Sequence, residues 1–281
     1  MIPAEFDYSA PTSLDEVFSE LQSSEDAKIL AGGHSLIPMM KLRIAAPAKL
    51  VDLRRVPGLQ GVSRQNGGFR IGAMTPHAEL EHSPELGLLS RAASTIADPQ
   101  VRHFGTIGGS VAHGDPASDL PAVLLAADAQ VTLQAAGGAV RSVTADDLFI
   151  DYLTTAVQDG EVLTEVRMPG LDGYGFGYQK FNRRAEDWAM VAVCALMRVE
   201  DGTVSDVRVG VTNMGSRPLR ARAVEDALRG GPATAEAIAS ASASADEGTS
   251  PSGDLNASAD YKRHLSRVMC KRALSEAAGL A

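Results

Sequence analysis

Residues 28–35 read K-I-L-A-G-G-H-S, an apolar strand that runs directly into two glycines, a histidine and a serine. Glycine adopts positive φ angles and lets a ligand approach the backbone closely. Successive N–H groups in such a turn can converge on an anion, and a helix N-terminus that follows adds a favourable dipole. The stretch fits a phosphate cradle, although a plain strand-to-helix turn that binds nothing explains it equally well. It lacks the G-x-G-x-x-G fingerprint of Rossmann domains.

A second glycine turn occurs in residues 104–121, which read F-G-T-I-G-G-S-V-A-H-G-D-P-A-S-D-L-P. Two turns of phosphate size, with the carboxylates of Asp115 and Asp119 as acceptors for ribose hydroxyls, suit a dinucleotide better than a mononucleotide. Taken alone, Asp119 is better explained as the N-cap of the helix predicted after it. Taken together, the two stretches favour a cofactor site over a pair of empty turns.

Periodicity divides the chain into two α+β regions with a break near residue 172. Ser13 and Glu16 have the spacing of a capping box, and Thr75-Pro76 indicates the N-cap and first residue of another helix. The predicted helices are 14–21, 36–43, 76–80, 86–96 and 121–127, and the predicted strands are 28–31, 50–53, 69–74, 129–134 and 161–168. The stretch 98–120 is rich in Gly, His, Asp and Pro and is predicted as a long loop, which inside a compact domain is usually functional.

Beyond the break, Gly173, Gly175 and Gly177 indicate a hinge or turn. Strands are predicted near 190–199 and 204–212, helices at 219–228, 233–245 and 261–278, and a loop at 246–256. The last helix carries a basic stretch in an otherwise acidic protein. Such a stretch is usually a solvated face, and the alternative is a docking site for an acidic partner subunit. The stretch consists of Lys262, Arg263, Arg267, Lys271 and Arg272.

Composition excludes several classes of function. The net charge of −9 argues against a nucleic-acid binder, which would carry a basic patch. No apolar run approaches the 18 or so residues of a membrane span, and the acidic N-terminus does not resemble a secretory signal. We therefore expect a cytoplasmic protein, which would reach the inner face of the membrane only through a complex. Cys194 and Cys270 are too few for an iron–sulfur cluster, which normally takes four cysteines.

Other kinds of site find little support in the sequence. His34, His103, His113 and Asp115 lie on different turns without the spacing of a metal motif, so we expect no metal site. No G-x-S-x-G elbow is present, which argues against a serine hydrolase. The segment 180–189, K-F-N-R-R-A-E-D-W-A, is explained either as a solvated turn before a strand or as a cation and an aromatic ring beside a cofactor.

Three stretches in order and at this spacing resemble the FAD-binding medium subunits of the molybdenum hydroxylases, the family of carbon monoxide dehydrogenase and xanthine dehydrogenase. They are 31–43 (A-G-G-H-S-L-I-P-M-M-K-L-R), 96–121 (I-A-D-P-Q-V-R-H-F-G-T-I-G-G-S-V-A-H-G-D-P-A-S-D-L-P) and 178–189 (Y-Q-K-F-N-R-R-A-E-D-W-A). The likeness continues through T-N-M-G-S-R-P-L-R-A at 212–221 and D-L-N-A-S-A-D-Y-K-R-H-L at 254–265. It therefore covers nearly the whole chain.

The resemblance implies an α+β fold of the vanillyl-alcohol-oxidase type. An FAD-binding domain would comprise residues 1–172, with subdomains of about 1–56 and 57–172. A C-terminal domain of the carbon monoxide dehydrogenase flavoprotein type would follow at 173–281, with a three-stranded antiparallel sheet and helices.

The resemblance also implies how one FAD is held. Asp119 would contact the ribose or phosphate side, the Leu163 backbone the adenine side, and Lys180 the cofactor, with Trp188 near the flavin ring. The family often has Asn or Asp where this chain has Ser110. Nothing obvious activates His34 for covalent attachment, so we expect FAD to be non-covalent. Contacts to the pyrophosphate and adjacent groups are implied for Ala31, Gly32, Gly33, His34, Ser35, Leu36, Thr106, Ile107, Gly108, Gly109 and Ser110.

The role implied by the resemblance is electron transfer without catalytic residues of the chain's own. A large molybdenum-cofactor subunit would oxidise the substrate, and two [2Fe–2S] clusters on a small subunit would pass electrons to the FAD bound here. An external acceptor, such as a quinone, NAD or oxygen, would then take them, in a heterohexamer built as a dimer of heterotrimers. Carbon monoxide is the first choice of substrate, with aldehydes and N-heterocycles open. A self-contained flavin oxidoreductase and a scaffold subunit that has lost its flavin are the alternatives.

Overall fold

Residues 1–56 form a small parallel α/β unit in this computed structural model, which describes residues 1–280. Its three strands lie in the order β1-β3-β2, and the Ser13 hydroxyl accepts the Glu16 N–H at the start of the first helix, as the capping-box spacing predicts. The glycine turn lies between β2 and α2 and therefore at the carboxyl edge of this sheet. The elements are β1 (Asp7–Ser9), α1 (Leu14–Gln22), β2 (Ala27–Leu30), α2 (Leu36–Lys41) and β3 (Lys49–Asp52).

A five-stranded antiparallel sheet, in the order β4-β5-β10-β6-β7, organises the next part of the chain, and β8 and β9 form a separate hairpin. Helices occupy the long connection between β5 and β6. The strands are β4 (Val62–Gln65), β5 (Gly68–Gly72), β6 (Gln130–Gln134), β7 (Val140–Thr144), β8 (Phe149–Asp151), β9 (Thr154–Thr155) and β10 (Val162–Met168). The helices are α3 (His77–Glu81), α4 (Leu88–Ala93), α5 (Pro99–Phe104), α6 (Ile107–His113), α7 (Asp119–Ala126) and α8 (Ala145–Leu148).

The prediction of a loop at 98–120 is wrong, because this stretch contains α5, α6 and the start of α7. Asp98 caps α5 by accepting the Val101 N–H, and Pro99 is its first residue. Thr106 caps α6 in the same way, with Gly109 N–H as its donor. The helix signals were present, but the glycine and proline content obscured them.

The prediction that Thr75 is the N-cap of α3 is wrong, because Pro76 occupies that position. The Thr75 hydroxyl is buried and accepts the N–H of Gly61 at 2.9 Å. It therefore fixes a neighbouring loop and does not cap the helix.

The C-terminal part is a four-stranded antiparallel sheet covered by helices, with three long strands and the two-residue β14 at one edge. Residues 219–220 pair with β13 as this edge strand, so the helix predicted at 219 begins only at Arg222. The elements are β11 (Gly175–Phe181), β12 (Val191–Glu200), β13 (Thr203–Thr212), β14 (Leu219–Arg220), α9 (Arg222–Leu228), α10 (Ala235–Ser242) and α11 (Ala259–Ala277).

The glycines at the start of this part do not form the predicted hinge. Gly175 and Gly177 lie within β11, where a Cβ would collide with the carbonyl oxygens of Ala277 and Ala273 respectively. Their small size lets α11 pack directly on the backbone of β11. Only Gly173 lies in a turn with positive φ.

The basic stretch of the last helix is not one solvated face. Lys262 is 2% exposed and pairs with Asp254 at 2.8 Å, and Arg267 pairs with Asp246 at 2.7 Å. Both cations hold the segment 246–256, which contains no helix or strand, against α11. These contacts account for Lys262 and Arg267, whereas Lys271 and Arg272 are exposed.

The C-terminal sheet packs on α7, and this contact determines the geometry of the site. Leu120 and Leu124 of α7 share one hydrophobic core with Ala192 and Leu196 of β12. The Cys194 thiol donates to the carbonyl oxygen of Ala122 at 3.4 Å. Strand β11 is thereby placed beside the N-terminal end of α7. Within residues 1–280, no helix is both long and apolar enough to cross a membrane.

Candidate functional site: a cavity between the two glycine turns

The two glycine turns, distant in sequence, touch each other. Thr106 Oγ1 donates a hydrogen bond to the carbonyl oxygen of Ala31 at 3.1 Å. A Cβ on Gly109 would lie 2.7 Å from the same oxygen, so only glycine permits this approach. Together they line one side of a cavity of about 1020 Å³, which is at the upper end of the roughly 300–1,000 Å³ typical of ligand sites.

The first turn has the geometry of an anion cradle. Gly32 and Gly33 have φ angles of +90° and +82°, and a Cβ on Gly32 would collide with the carbonyl oxygen of Phe104. Within residues 1–280, the backbone N–H groups of Gly32, Gly33, His34 and Ser35 donate to no protein acceptor. Four successive donors without protein partners at this turn match the nest expected from the sequence.

The second turn differs from the expected cradle, because its amides already have partners. The N–H groups of Ile107 and Gly108 donate to the carbonyl oxygens of Thr75 and Ala73 at 3.0 and 2.8 Å, and Gly109 N–H donates to the Thr106 hydroxyl. These bonds tie the start of α6 to the end of β5. The second turn can therefore offer close approach at its glycines and the hydroxyl of Ser110, which lines the cavity.

Thirteen of the fifteen residues that the resemblance implies for the site line this cavity. The exceptions are Gly32, which lies behind the turn against Phe104, and Ile107, which is fully buried in the hydrophobic core. Their effect on the site is through packing. The lining residues are Ala31, Gly33, His34, Ser35, Leu36, Thr106, Gly108, Gly109, Ser110, Asp119, Leu163, Lys180 and Trp188.

Asp119 is the centre of a buried polar cluster. It is the first residue of α7 and not its N-cap, which is Ser118, contrary to the preferred explanation of this residue taken alone. Tyr178 OH donates to Asp119 Oδ1 at 2.6 Å, and Lys180 Nζ donates to Oδ2 at 2.9 Å and to the carbonyl oxygen of Thr95 at 3.0 Å. Burial raises the pKa of the Asp119 carboxyl, an effect that Lys180 and Tyr178 oppose.

Two residues of this cluster, Tyr178 and Thr95, were not found from the sequence. Tyr178 precedes Lys180 by two positions in β11, so both side chains leave the same face of the strand. That alternation is a signal that could have identified Tyr178. Thr95 contributes a backbone carbonyl, for which the side-chain type gives no signal.

His77 also lines the cavity and was not identified from the sequence. Its side chain is buried, with 5% of the residue exposed, and Nδ1 has no hydrogen-bond partner among residues 1–280. Burial, assisted by the nearby charges of His34 and Arg102, lowers the pKa of His77 to about 4. The imidazole is therefore neutral at physiological pH.

The C-terminal rim of the cavity is more open. Trp188 is 55% exposed and also lines a smaller cavity of about 260 Å³, together with Asp115, Asn213 and Asn256. Leu163 and the segment 157–162 also line the large cavity.

Nothing in the described part of the chain resembles a metal centre. No group of three or more His, Cys, Asp and Glu side chains within residues 1–280 could hold a metal ion. Cys194 and Cys270 are both buried free thiols, and burial raises the pKa of each to about 12.

Comparison with known proteins identifies relatives over the whole chain. A family profile described as "FAD binding domain in molybdopterin dehydrogenase" matches residues 4–171, and one described as "CO dehydrogenase flavoprotein C-terminal domain" matches residues 176–277. The chain is 42% identical to the carbon monoxide dehydrogenase medium chain of Hydrogenophaga pseudoflava, over 99% of this chain and 98% of that one.

Two further comparisons concern structure and a different substrate. The solved structure of carbon monoxide dehydrogenase from Hydrogenophaga pseudoflava contains a chain with a TM-score of 0.96 and 44% identity, each chain being covered completely. The 6-hydroxypseudooxynicotine dehydrogenase complex subunit alpha of Paenarthrobacter nicotinovorans is 37% identical, over 99% of this chain and 96% of that one.

Proposed function

Because this chain belongs to the family of FAD-binding medium subunits of the molybdenum hydroxylases, we propose that it is the electron outlet of such a complex. It holds one FAD, receives electrons from [2Fe–2S] clusters of a partner subunit, and passes them to an external acceptor. The observation that carries this proposal is the convergence of the two glycine turns on one cavity. FAD supplies the redox chemistry, in which electrons that arrive singly can leave as a pair.

The residues of the cavity fit FAD in their chemistry. The free N–H groups of Gly33, His34 and Ser35 suit a pyrophosphate, while Gly108 and Gly109 let it approach the start of α6. The Ser110 hydroxyl can replace the Asn or Asp that the family often has at this position, because it also donates and accepts. His34 is exposed at the turn and serves a non-covalent site.

Lys180 brings a positive charge to the cavity wall. Its ammonium group carries three N–H donors, of which two bind Asp119 and Thr95, so one is left for the cofactor. Asp119 acts by holding Lys180 in place, in addition to any contact it makes with ribose. Trp188 and Leu163 both line the cavity, so Trp188 can offer an aromatic face to the flavin ring and the Leu163 backbone can contact the adenine side.

The chain contributes the flavin and no other redox centre. Its two cysteines are buried and lie on β12 and α11, so neither can ligate a cluster at the surface. We therefore place the molybdenum cofactor on a large partner subunit and the [2Fe–2S] clusters on a small one, in a dimer of heterotrimers. We also propose that the chain divides into domains 1–172 and 173–281, because the two family profiles meet near that point and no strand crosses it.

Carbon monoxide is the substrate that we propose for the complex, with a quinone or NAD as the acceptor. The carbon monoxide dehydrogenase medium chain of Hydrogenophaga pseudoflava is 42% identical to this chain, against 37% for the 6-hydroxypseudooxynicotine dehydrogenase subunit. The second candidate is an aldehyde or N-heterocycle dehydrogenase in which the molybdenum, iron–sulfur and FAD subunits have the same roles.

Metal analysis of the natively purified complex separates these substrates. Stoichiometric molybdenum, copper and iron, together with oxidation of carbon monoxide, support the first proposal. Molybdenum and iron without copper favour another hydroxylase. If the FAD-loaded chain alone oxidised any of these substrates, the chain would be a self-contained oxidoreductase. If it bound no FAD, it would be a scaffold subunit.

A further inference from the structure

Ala97 stands out in the cavity wall because its backbone is left-handed. Its φ angle is +41°, a region that residues with a Cβ rarely adopt. Ile96 and Ala97 both line the cavity. A strained turn that forms part of a binding wall persists only where the surroundings fix it.

Two cations fix this turn by binding three successive carbonyl oxygens. Lys180 Nζ donates to Thr95 O at 3.0 Å, and Arg102 Nη1 donates to Ile96 O and Ala97 O at 2.8 and 3.2 Å. Hydrogen bonds from charged donors are stronger than those between neutral groups. Each of the three carbonyl oxygens of the turn is thus bound by a cation.

Arg102 is itself held rigidly. Its Nε donates to Glu81 Oε2 at 2.7 Å, and its side chain is only 12% exposed. Asp98, next to the strained residue, caps the helix that carries Arg102 by accepting the Val101 N–H at 2.9 Å. The guanidinium therefore has one position, from which it can reach two carbonyl oxygens and one carboxylate at once.

We propose that Arg102 is a positioning residue for FAD, which acts by holding the wall formed by Ile96 and Ala97 in its left-handed conformation. The proposal rests on FAD binding in the cavity between the glycine turns. Lysine cannot replace the arginine, because a single ammonium group lacks the planar fork that spans both carbonyls and Glu81. The turn then relaxes towards negative φ, and the wall moves relative to the bound cofactor.

The test measures FAD binding to the purified full-length chain. In the variant Arg102→Lys, we expect FAD to bind about tenfold more weakly and the visible absorption bands of the bound flavin to shift. The matched control is Arg198→Lys, in which the arginine also donates to a carbonyl oxygen, that of Asp172, but lies outside the cavity. The control is expected to keep the wild-type affinity and spectrum.

A second substitution distinguishes positioning from a general loss of stability. Glycine adopts positive φ without strain, so Ala97→Gly introduced into Arg102→Lys should recover most of the lost affinity and the wild-type spectrum. Thermal unfolding of the FAD-free variants checks folding. If Arg102→Lys does not fold, Glu81→Gln, which loosens the guanidinium without removing it, is measured in its place with the same expectation.

The proposal is overturned if the Arg102 variant keeps the affinity and spectrum of the wild type, or if Ala97→Gly recovers neither. Failure of the wild-type chain itself to bind FAD would overturn the proposed function instead. The two failures are therefore distinguishable in one set of titrations.

Discussion

Lys180 and Asp119 were both expected at the site, and the structure changes what Asp119 does there. Its two carboxylate oxygens hold Tyr178 and Lys180. The sequence could place these residues near a cofactor through the resemblance. It could not reveal their pairing, because the pairing depends on how β11 packs beside α7.

Replacing Lys180 with Met should lower both the affinity for FAD and the reduction potential of the flavin. The substitution removes a positive charge that favours the negative charge added on reduction. We expect a potential lower by about 30 mV or more, the equivalent of a tenfold change for a two-electron couple. Spectroelectrochemical titration measures it, with the exposed Lys271→Met as control. An unchanged potential together with an unchanged affinity for FAD would contradict the cofactor contact proposed for Lys180.

His77 should make the chain less stable in mild acid. Its pKa of about 4 in the folded state lies below the ordinary value of 6.5, so protonation favours the unfolded state. The contribution of the neutral His77 ring to the free energy of unfolding is fully present above pH 6.5 and is lost as the pH falls towards 4. Between pH 7 and pH 5 the loss due to this residue is about 2 kcal/mol.

Urea unfolding of the FAD-free chain at the two pH values tests this expectation. The variant His77→Gln cannot be protonated, so its free energy of unfolding should fall by about 2 kcal/mol less than that of the wild type. The exposed His264→Gln should behave like the wild type. Equal losses in wild type and His77→Gln would show that the ring is not buried in its neutral form.

At the scale of elements, the strongly periodic segments and the first glycine turn were predicted correctly, and the glycine-rich stretch 98–120 was not. The helix at 14–21 and the strands at 129–134 and 161–168 correspond to α1, β6 and β10 within a residue or two. The glycine and proline content of 98–120 predicts a loop, although Asp98-Pro99 is a helix-start signal. The glycines of this stretch allow close packing, of Gly108 against Ala73 and of Gly109 against Ala31, which no local pattern reveals.

Replacing Gly109 with Ala should separate the two glycine turns. The new Cβ would lie 2.7 Å from the Ala31 oxygen and 2.9 Å from Thr106 Oγ1, so one of the turns must move. Because the φ angle of Gly109 is not positive, the substitution adds no backbone strain of its own. We expect FAD to bind at least about tenfold more weakly, since a displaced cradle loses hydrogen bonds to the cofactor.

Isothermal titration with FAD measures this effect, and Gly253→Ala is the matched control. Gly253 also has no positive φ, and its nearest neighbour would be 3.6 Å from a new Cβ. Full affinity in the Gly109 variant would mean that the two turns do not bind one cofactor together.

At the scale of the whole molecule, the site is assembled from three sheets. The first glycine turn follows β2 of the parallel sheet, the second is hydrogen-bonded to the residues just after β5 of the five-stranded sheet, and Lys180 lies on β11 of the C-terminal sheet. The family resemblance implied that these three places hold one FAD. Periodicity alone could not, because the relative placement of the sheets depends on long-range packing, such as that of the C-terminal sheet on α7.

The role of electron outlet is tested most directly on the intact complex after reversible removal of FAD. Substrate is added without oxygen while the [2Fe–2S] absorbance and the reduction of an external acceptor are both followed. We predict that the clusters of the FAD-free complex still become reduced, that the acceptor does not, and that added FAD restores acceptor reduction. Acceptor reduction at an undiminished rate without FAD would contradict the account.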